Sequence, residues 1–84
     1  MKKYYVIKIE ETYKNRFGEM NSRVTYEGRC TKRGAYISVD PSDKEDLEKY
    51  AFKSVKAAMN YMNKREYKSF ETNVRKVMFS IVEM

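Results

Sequence analysis

The side chains of this sequence that could take part in chemistry are few. The chain has no histidine and a single cysteine, Cys30, among its 84 residues. General acid–base catalysis near neutral pH relies most often on histidine, so a nucleophile–base pair would have to combine Cys30 with a lysine or a carboxylate. Cys30 is in phase with Tyr26 in an alternating segment, which favours a small buried side chain over a reactive thiol.

The carboxylates do not form a paired site in the sequence either. Glu10 and Glu11 are adjacent on a predicted strand, so their side chains point to opposite faces. The acidic run 40–48 lacks the glycine and the terminal glutamate of a calcium-binding loop. One thiol without histidine excludes the common structural zinc sites, and no glycine-rich phosphate loop is present. We therefore expect a protein that is not an enzyme and holds no metal or cofactor.

Length and composition predict one globular domain over residues 1–84. Hydrophobic residues make up 42% of the chain, which is close to the globular norm, although 36% of the residues are charged. A single cysteine excludes an intrachain disulfide. The apolar run 4–7 is too short for a signal peptide or a membrane span, so we expect a cytoplasmic protein without a membrane partner.

The net charge of +6 is distributed unevenly along the chain. Residues 1–39 hold nine basic and four acidic side chains, and residues 49–84 hold eight basic and three acidic ones. Between them, residues 40–48 hold five acidic side chains and one lysine. The overall charge favours anionic partners, whereas the acidic patch would locally oppose a phosphate backbone.

Hydrophobic periodicity predicts four strands and two helices. Period-2 alternation places strands at 3–12, 22–31, 35–39 and 74–83. Asp40 and Pro41 predict the start of a short helix. Ser54 predicts the N-cap of the main helix, which runs to about residue 65. Its core-facing stripe is predicted from the i, i+3, i+4, i+7 spacing of Val55, Ala58, Met59 and Met62.

The predicted fold class is α+β, with an antiparallel sheet of about four strands in the order β-β-β-short α-α-β. The first three strands are predicted to form a meander, and the last strand is predicted to pair with the first. One main helix covers one face of the sheet. The residues predicted on the covered face are Tyr5, Ile7, Ile9, Tyr26, Ile37, Val77, Phe79 and Ile81.

The other face of this sheet is predicted to be open and partly apolar. Its predicted residues are Tyr4, Val6, Tyr36, Met78 and Val82, mixed with Lys8, Thr25, Arg29 and Ser38. An uncovered face normally alternates to polar residues, so an apolar and aromatic one is typical of an interaction surface. The alternative is that tyrosine and methionine are tolerated there and that loop 14–21 folds over them.

These patterns predict a non-enzymatic interaction protein that binds another protein through the open face and the adjoining basic loops. Aromatic residues and arginine dominate binding at such surfaces. The residues expected to contact the partner are therefore Tyr4, Arg29, Arg33, Tyr36 and Met78. Two alternatives stay open. The first is nucleic-acid binding through Arg23, Lys32, Lys53, Lys56, Lys64 and Arg65, and the second is a homodimer that buries the open face.

Several short segments of the chain resemble a loose class of small proteins encoded by phages and prophages of Gram-positive bacteria. These segments are Tyr-Tyr-Val-Ile at 4–7, Gly-Ala-Tyr-Ile-Ser at 34–38, Ala-Phe-Lys-Ser at 51–54 with Ala57-Ala58, and Ile-Val-Glu at 81–83. The sequence departs from the class in its longer, charged excursion at 10–33. The resemblance implies an α+β protein that binds and modulates a host factor, anti-defence inhibitors included. It implies no particular target and no functional residues.

Overall fold

The computed structural model describes residues 3–30, 32 and 35–84. Within them the chain forms β1 (Tyr5–Lys14), β2 (Met20–Gly28), β3 (Ile37–Ser38), α1 (Lys44–Tyr50), α2 (Val55–Lys64), β4 (Phe70–Glu71) and β5 (Arg75–Glu83). The strands form one antiparallel sheet in the order β3-β2-β1-β5-β4. The predicted α+β class is confirmed. Strand β4 was not predicted, because Phe70 and Glu71 lie in a segment, 66–73, that shows no period-2 alternation.

The central strand of the sheet is β1, which is hydrogen-bonded to β2 on one side and to β5 on the other. Ile7 lies opposite Glu27 on β2 and opposite Ile81 on β5. The predicted meander of the first three strands and the predicted pairing of the last strand with the first are both confirmed. Both faces of the sheet are covered where β1 begins, which explains why β1 begins with apolar residues at both odd and even positions.

The two helices pack on opposite faces of the sheet. Helix α1 brings Leu47 onto Val6, together with Val39 and Ala51. Helix α2 brings Ala58 onto the other face, in a cluster that includes Ile7 and Phe52. Val6 and Ile7 are both 0% exposed, although they are neighbours that point in opposite directions. The prediction that only one face is covered is therefore wrong.

The chain passes from one face to the other at Phe52, which lies between the two helices. The backbone N–H of Phe52 donates to the carbonyl of Tyr5 at 2.7 Å, and the N–H of Tyr5 donates back at 3.0 Å. This bridge pairs the crossing segment with the start of β1. The bridge supplies hydrogen bonds to the part of β1 that extends beyond the end of β2, where β1 would otherwise lack them.

The register between β1 and β2 places Tyr26 on the face opposite to the predicted one. Tyr26 lies opposite Lys8 and packs against the Val6 cluster, and Ile37 packs there too. Thr25 lies opposite Ile9, on the face that α2 covers. The predicted positions of Tyr26, Ile37 and Thr25 are therefore wrong, because period-2 alternation does not say which parity of a neighbouring strand shares a face.

Helix α2 begins as predicted, with Ser54 as its N-cap. The hydroxyl of Ser54 accepts a hydrogen bond from the N–H of Ala57 at 3.1 Å. The stripe that faces the sheet is rotated from the predicted one. Tyr61 and Met62 pack with Ala58 on the sheet, whereas Val55 and Met59 stay 45% and 52% exposed.

Helix α1 begins three residues later than predicted, because its N-cap is Asp43 rather than Asp40. The Asp43 carboxylate accepts from the N–H of Glu45 at 2.9 Å. Asp40 instead accepts from the N–H and the hydroxyl of Ser42 in a turn that precedes the helix. Within the described part of the chain, neither helix has the length and apolar character that crossing a membrane requires.

The helices cover only the half of the sheet in which β1 begins. No β1 residue beyond Ile9 belongs to either cluster packed beneath them. The other half, around the β1–β2 hairpin and the β4–β5 turn, has no helix of the described chain on either face; we call it the bare end. The large apolar residues exposed there are Tyr13, Phe17, Met20, Val24, Phe70, Val74 and Met78.

Candidate functional site

A cavity of about 500 Å³ opens at the covered end of the sheet, where β2, β3 and α1 meet. Its lining is basic and aromatic, and we call it the basic cavity. The residues that line it are Arg29, Cys30, Lys32, Ala35, Tyr36, Ile37, Lys49 and Tyr50. They come from three separate stretches of the sequence, so the tertiary fold brings them together.

Arg29 is positioned by the backbone at the end of β2. Its N–H donates to the carbonyl of Tyr50 at 2.6 Å, and its guanidinium reaches the carbonyl of Lys49 at 3.5 Å. Gly28 makes this approach possible, because a Cβ there would lie 2.5 Å from the Tyr50 carbonyl oxygen. The end of α1 is therefore fixed against the end of β2, with Arg29 exposed at the cavity.

The charge of the basic cavity is one-sided. Arg29, Lys32 and Lys49 line it, and no acidic side chain of the described residues does so. Tyr36, which also lines the cavity, is 70% exposed. The planar guanidinium of arginine can donate two parallel hydrogen bonds to an anion, and a tyrosine ring can stack on an apolar group. The cavity is therefore suited to a partner that carries a carboxylate or another anion beside an apolar group.

Acidic residues near the basic cavity limit how long an anionic partner segment can be. Lys49 and Tyr50 belong to α1, whose first turn carries Glu45 and Asp46. An extended polyanion that continues over α1 would meet these carboxylates. A short acidic segment would gain the attraction of the cavity without that repulsion.

A second, smaller cavity of about 250 Å³ shares Arg29 with the basic cavity. It runs along α2 and is lined by Arg29, Phe52, Ala57, Asn60, Tyr61 and Lys64. The two cavities therefore form a run of positive charge and aromatic rings around Arg29.

Beside this run, a buried carboxylate ties α2 to the sheet. Glu27 is 4% exposed, and the Tyr67 hydroxyl donates to its Oε2 at 2.8 Å. The guanidinium of Arg65 lies 4.8 Å from the centre of the Tyr61 ring and reaches the carbonyl of Cys30 at 3.5 Å. The Tyr61 hydroxyl is buried and has no hydrogen-bond partner among the described residues.

Burial controls the protonation of this cluster. It raises the pKa of Glu27 above its ordinary value of 4.5, although the Tyr67 hydroxyl and the Arg65 charge act in the opposite direction. Burial and the hydrogen bond to Glu27 raise the pKa of Tyr67 to about 12. Burial also raises the pKa of Tyr61. The two tyrosines hold their protons through the neutral range, which suits a structural role.

The structure brings some of the predicted partner-contact residues together and separates others. Arg29 and Tyr36 share the basic cavity. Tyr4 is half-buried and packs against the Val6 cluster, so its predicted place on an open face is wrong, as are those of Val6 and Val82. Arg33 lies outside the described residues. Met78 is 46% exposed, but it lies at the bare end of the sheet.

The residues predicted for nucleic-acid binding are scattered over the molecule. Lys32 lines the basic cavity and Lys64 the smaller one. Lys53 and Lys56 are exposed near the start of α2. The remaining two are Arg65, which is half-buried against Tyr61, and Arg23, which pairs with Glu11 at the bare end.

Sequence reasoning missed the two residues that α1 contributes to the basic cavity, Lys49 and Tyr50. The one sequence feature that could have pointed to them is that Tyr50 is one of two apolar residues in the short predicted helix. This feature did not indicate which surface that helix packs against. Cys30 was predicted to be a buried strand residue. It is half-buried just after β2, and it lines the cavity.

Comparison of the chain with models of known protein families, with curated proteins and with solved structures finds no match.

Proposed function

We propose that this chain is a non-enzymatic binding protein that recognises an acidic segment of another protein through the basic cavity. The observation that carries the proposal is the convergence of Arg29, Lys32 and Lys49 with Tyr36 and Tyr50 in one open cavity. Arginine and tyrosine are enriched among the residues that dominate binding energy at interfaces. The net charge of +6 would add long-range attraction for an acidic partner.

The likeness to small phage and prophage proteins supports a host protein as the partner and inhibition or modulation of that protein as the outcome. Blocking a partner's own binding site needs only one anchored patch of standard interface size, about 800 Å² per partner.

Affinity capture with variants of the cavity tests this proposal. Tyr36→Glu places a carboxylate among the three basic residues, and Arg29→Ala removes the charge shared by the two cavities. We expect each to lower partner affinity by tenfold or more, which corresponds to at least about 1.4 kcal/mol. The matched controls are Tyr13→Glu and Arg16→Ala, both near the β1–β2 hairpin and away from the cavity, and these should bind as the unmodified chain does.

Nucleic-acid binding is the second candidate, because the positive run continues past Arg29 to Lys64 and the Tyr36 ring is exposed beside it. Exposed rings with phosphate contacts serve single strands. Nuclease treatment before capture separates the two candidates. A captured protein that survives nuclease and is lost with Tyr36→Glu supports the first proposal. Binding of a single-stranded oligonucleotide that falls steeply with salt would replace it with the second.

A further inference from the structure

The outer edge of β2 is unprotected along most of its length. Strand β3 pairs only with Glu27 and Gly28, and the N–H of Val39 adds one bond to the carbonyl of Tyr26 at 2.8 Å. Among the described residues, no strand pairs with this edge from Met20 to Val24.

The pairing pattern shows which backbone groups face outward. The Tyr26 carbonyl points away from β1, so the even-numbered residues of β2 direct their N–H and C=O groups to the open edge. The free donors and acceptors are therefore those of Met20, Ser22 and Val24. Natural edges are usually protected by proline, by charged side chains or by a covering segment. Within the described structure, 20–24 has no proline and no covering segment, and its one charged side chain is that of Arg23.

We propose that the occupant of this edge is a second copy of the chain, paired antiparallel to β2 about a two-fold axis at Ser22. In this register Met20 of each copy lies opposite Val24 of the other, on the face where both are exposed, at 63% and 49%. Arg23 lies opposite Asn21 on the other face. The pairing joins two five-stranded sheets into one continuous sheet of ten strands.

The charge of the edge favours a second copy over an acidic partner. The chain carries a net +6, so most surfaces of two copies would repel each other. In the proposed register no two like charges lie directly opposite each other. The one charged side chain of 20–24, that of Arg23, already pairs with Glu11 at 3.4 Å within its own copy. Apolar cross-strand pairs and a backbone ladder supply the contact.

Sedimentation equilibrium over a range of concentrations tests the proposal on the full chain. The mass is expected to rise from 10.1 kDa toward about twice that value. Ser22→Pro removes an outward N–H that has no partner among the described residues, so the monomer is expected to fold. The lost pair of symmetric hydrogen bonds should weaken dimerisation about 10- to 100-fold.

A charge-swap experiment tests the position of the axis. Ser22→Lys and Ser22→Glu each place like charges opposite each other and should weaken self-association, whereas a mixture of the two should restore it. The control is Asn73→Lys, which adds the same charge at an exposed position in the β4–β5 turn.

Three results would overturn the proposal. One is a mass of 10.1 kDa at every concentration, and another is a dimer that Ser22→Pro and Ser22→Lys leave unchanged. The third is a monomer whose capture of another protein depends on Ser22, because that would assign the edge to a foreign strand. None of these results depends on the basic cavity, which lies at the other end of β2.

Discussion

The hydroxyl of Tyr67 donates to the carboxylate of Glu27, at 2.8 Å from Oε2 and 3.0 Å from Oε1. Glu27 belongs to β2, and Tyr67 follows α2, so this contact joins two parts of the chain that are 40 residues apart. The Tyr67 ring also stacks on Phe79 of β5, with ring centres 4.9 Å apart. Tyr67 thus holds the end of α2 against β2 and β5, the two strands that flank β1.

Replacing Tyr67 by phenylalanine should destabilise the protein by about 1–3 kcal/mol, because a buried carboxylate loses its hydrogen-bond donor while the ring stacking is kept. Denaturant unfolding followed by circular dichroism measures the change. Tyr13→Phe, at an exposed tyrosine of β1, is the control and should stay within about 0.5 kcal/mol of the unmodified chain. Equal stability of both variants would show that the Glu27 contact adds nothing to the fold.

The raised pKa of Glu27 predicts a particular pH dependence of stability. The folded protein holds the Glu27 proton more tightly than the unfolded chain does, so this contribution is fully present below pH 4.5 and is lost as pH rises through the higher folded pKa. Glu27→Gln should remove this loss, so that the variant gains stability relative to the unmodified chain as pH rises from about 4 to about 8. Unfolding series across that range measure the difference, with the exposed Glu19→Gln as control. A difference that is flat with pH would contradict the prediction.

Gly28 is expected to tolerate no side chain. A Cβ there would lie 2.5 Å from the Tyr50 carbonyl oxygen and 2.6 Å from a Val39 methyl carbon. Because a backbone atom cannot rotate away, Gly28→Ala should cost about 1–3 kcal/mol or more and should also separate Arg29 from α1. Thermal unfolding and partner affinity should therefore fall together. Gly18→Ala is the contrasting variant: its φ of +81° strains the backbone, but the change lies in the hairpin turn and should leave partner affinity intact.

Replacing each of two valines on the same face of the sheet tests which part of that face α1 covers. Val6 is 0% exposed beneath α1, whereas Val24 is 49% exposed at the bare end. Val6→Ala should cost about 2 kcal/mol from lost burial and the cavity left behind. Val24→Ala should change the stability of the monomer by less than about 0.5 kcal/mol. Similar losses for both variants, measured by denaturant unfolding below the concentration at which dimers form, would contradict the half-covered sheet.

All the strands except β4, and the main helix, were readable from the sequence because their signals are local. Alternation in β1 and β5 predicted both strands, and their length and apolar content predicted their pairing. Ser54 predicted the start of α2 through its side-chain cap. The start of α1 was misplaced because Asp40 and Asp43 both satisfy the rule for an N-cap, and only the turn closed by Ser42 decides between them.

The candidate site was only partly readable. Arg29 and Tyr36 were selected by residue type, and they do share the basic cavity. Lys49 and Tyr50 were missed, because their place depends on the face on which α1 packs. Tyr4 was selected for a face expected to be open, and α1 covers that part of it.

The sequence by itself determined the α+β class, the central position of β1 and the absence of histidine chemistry, because composition and periodicity are properties of each segment alone. Only the tertiary structure decided that α1 and α2 lie on opposite faces and that the bare part of the sheet is one end of it. The physical reason is that a strand with apolar residues at both odd and even positions can accept a helix on either face. The choice is made by the Tyr5–Phe52 bridge and the contact of Gly28 with Tyr50, which join residues far apart in the chain.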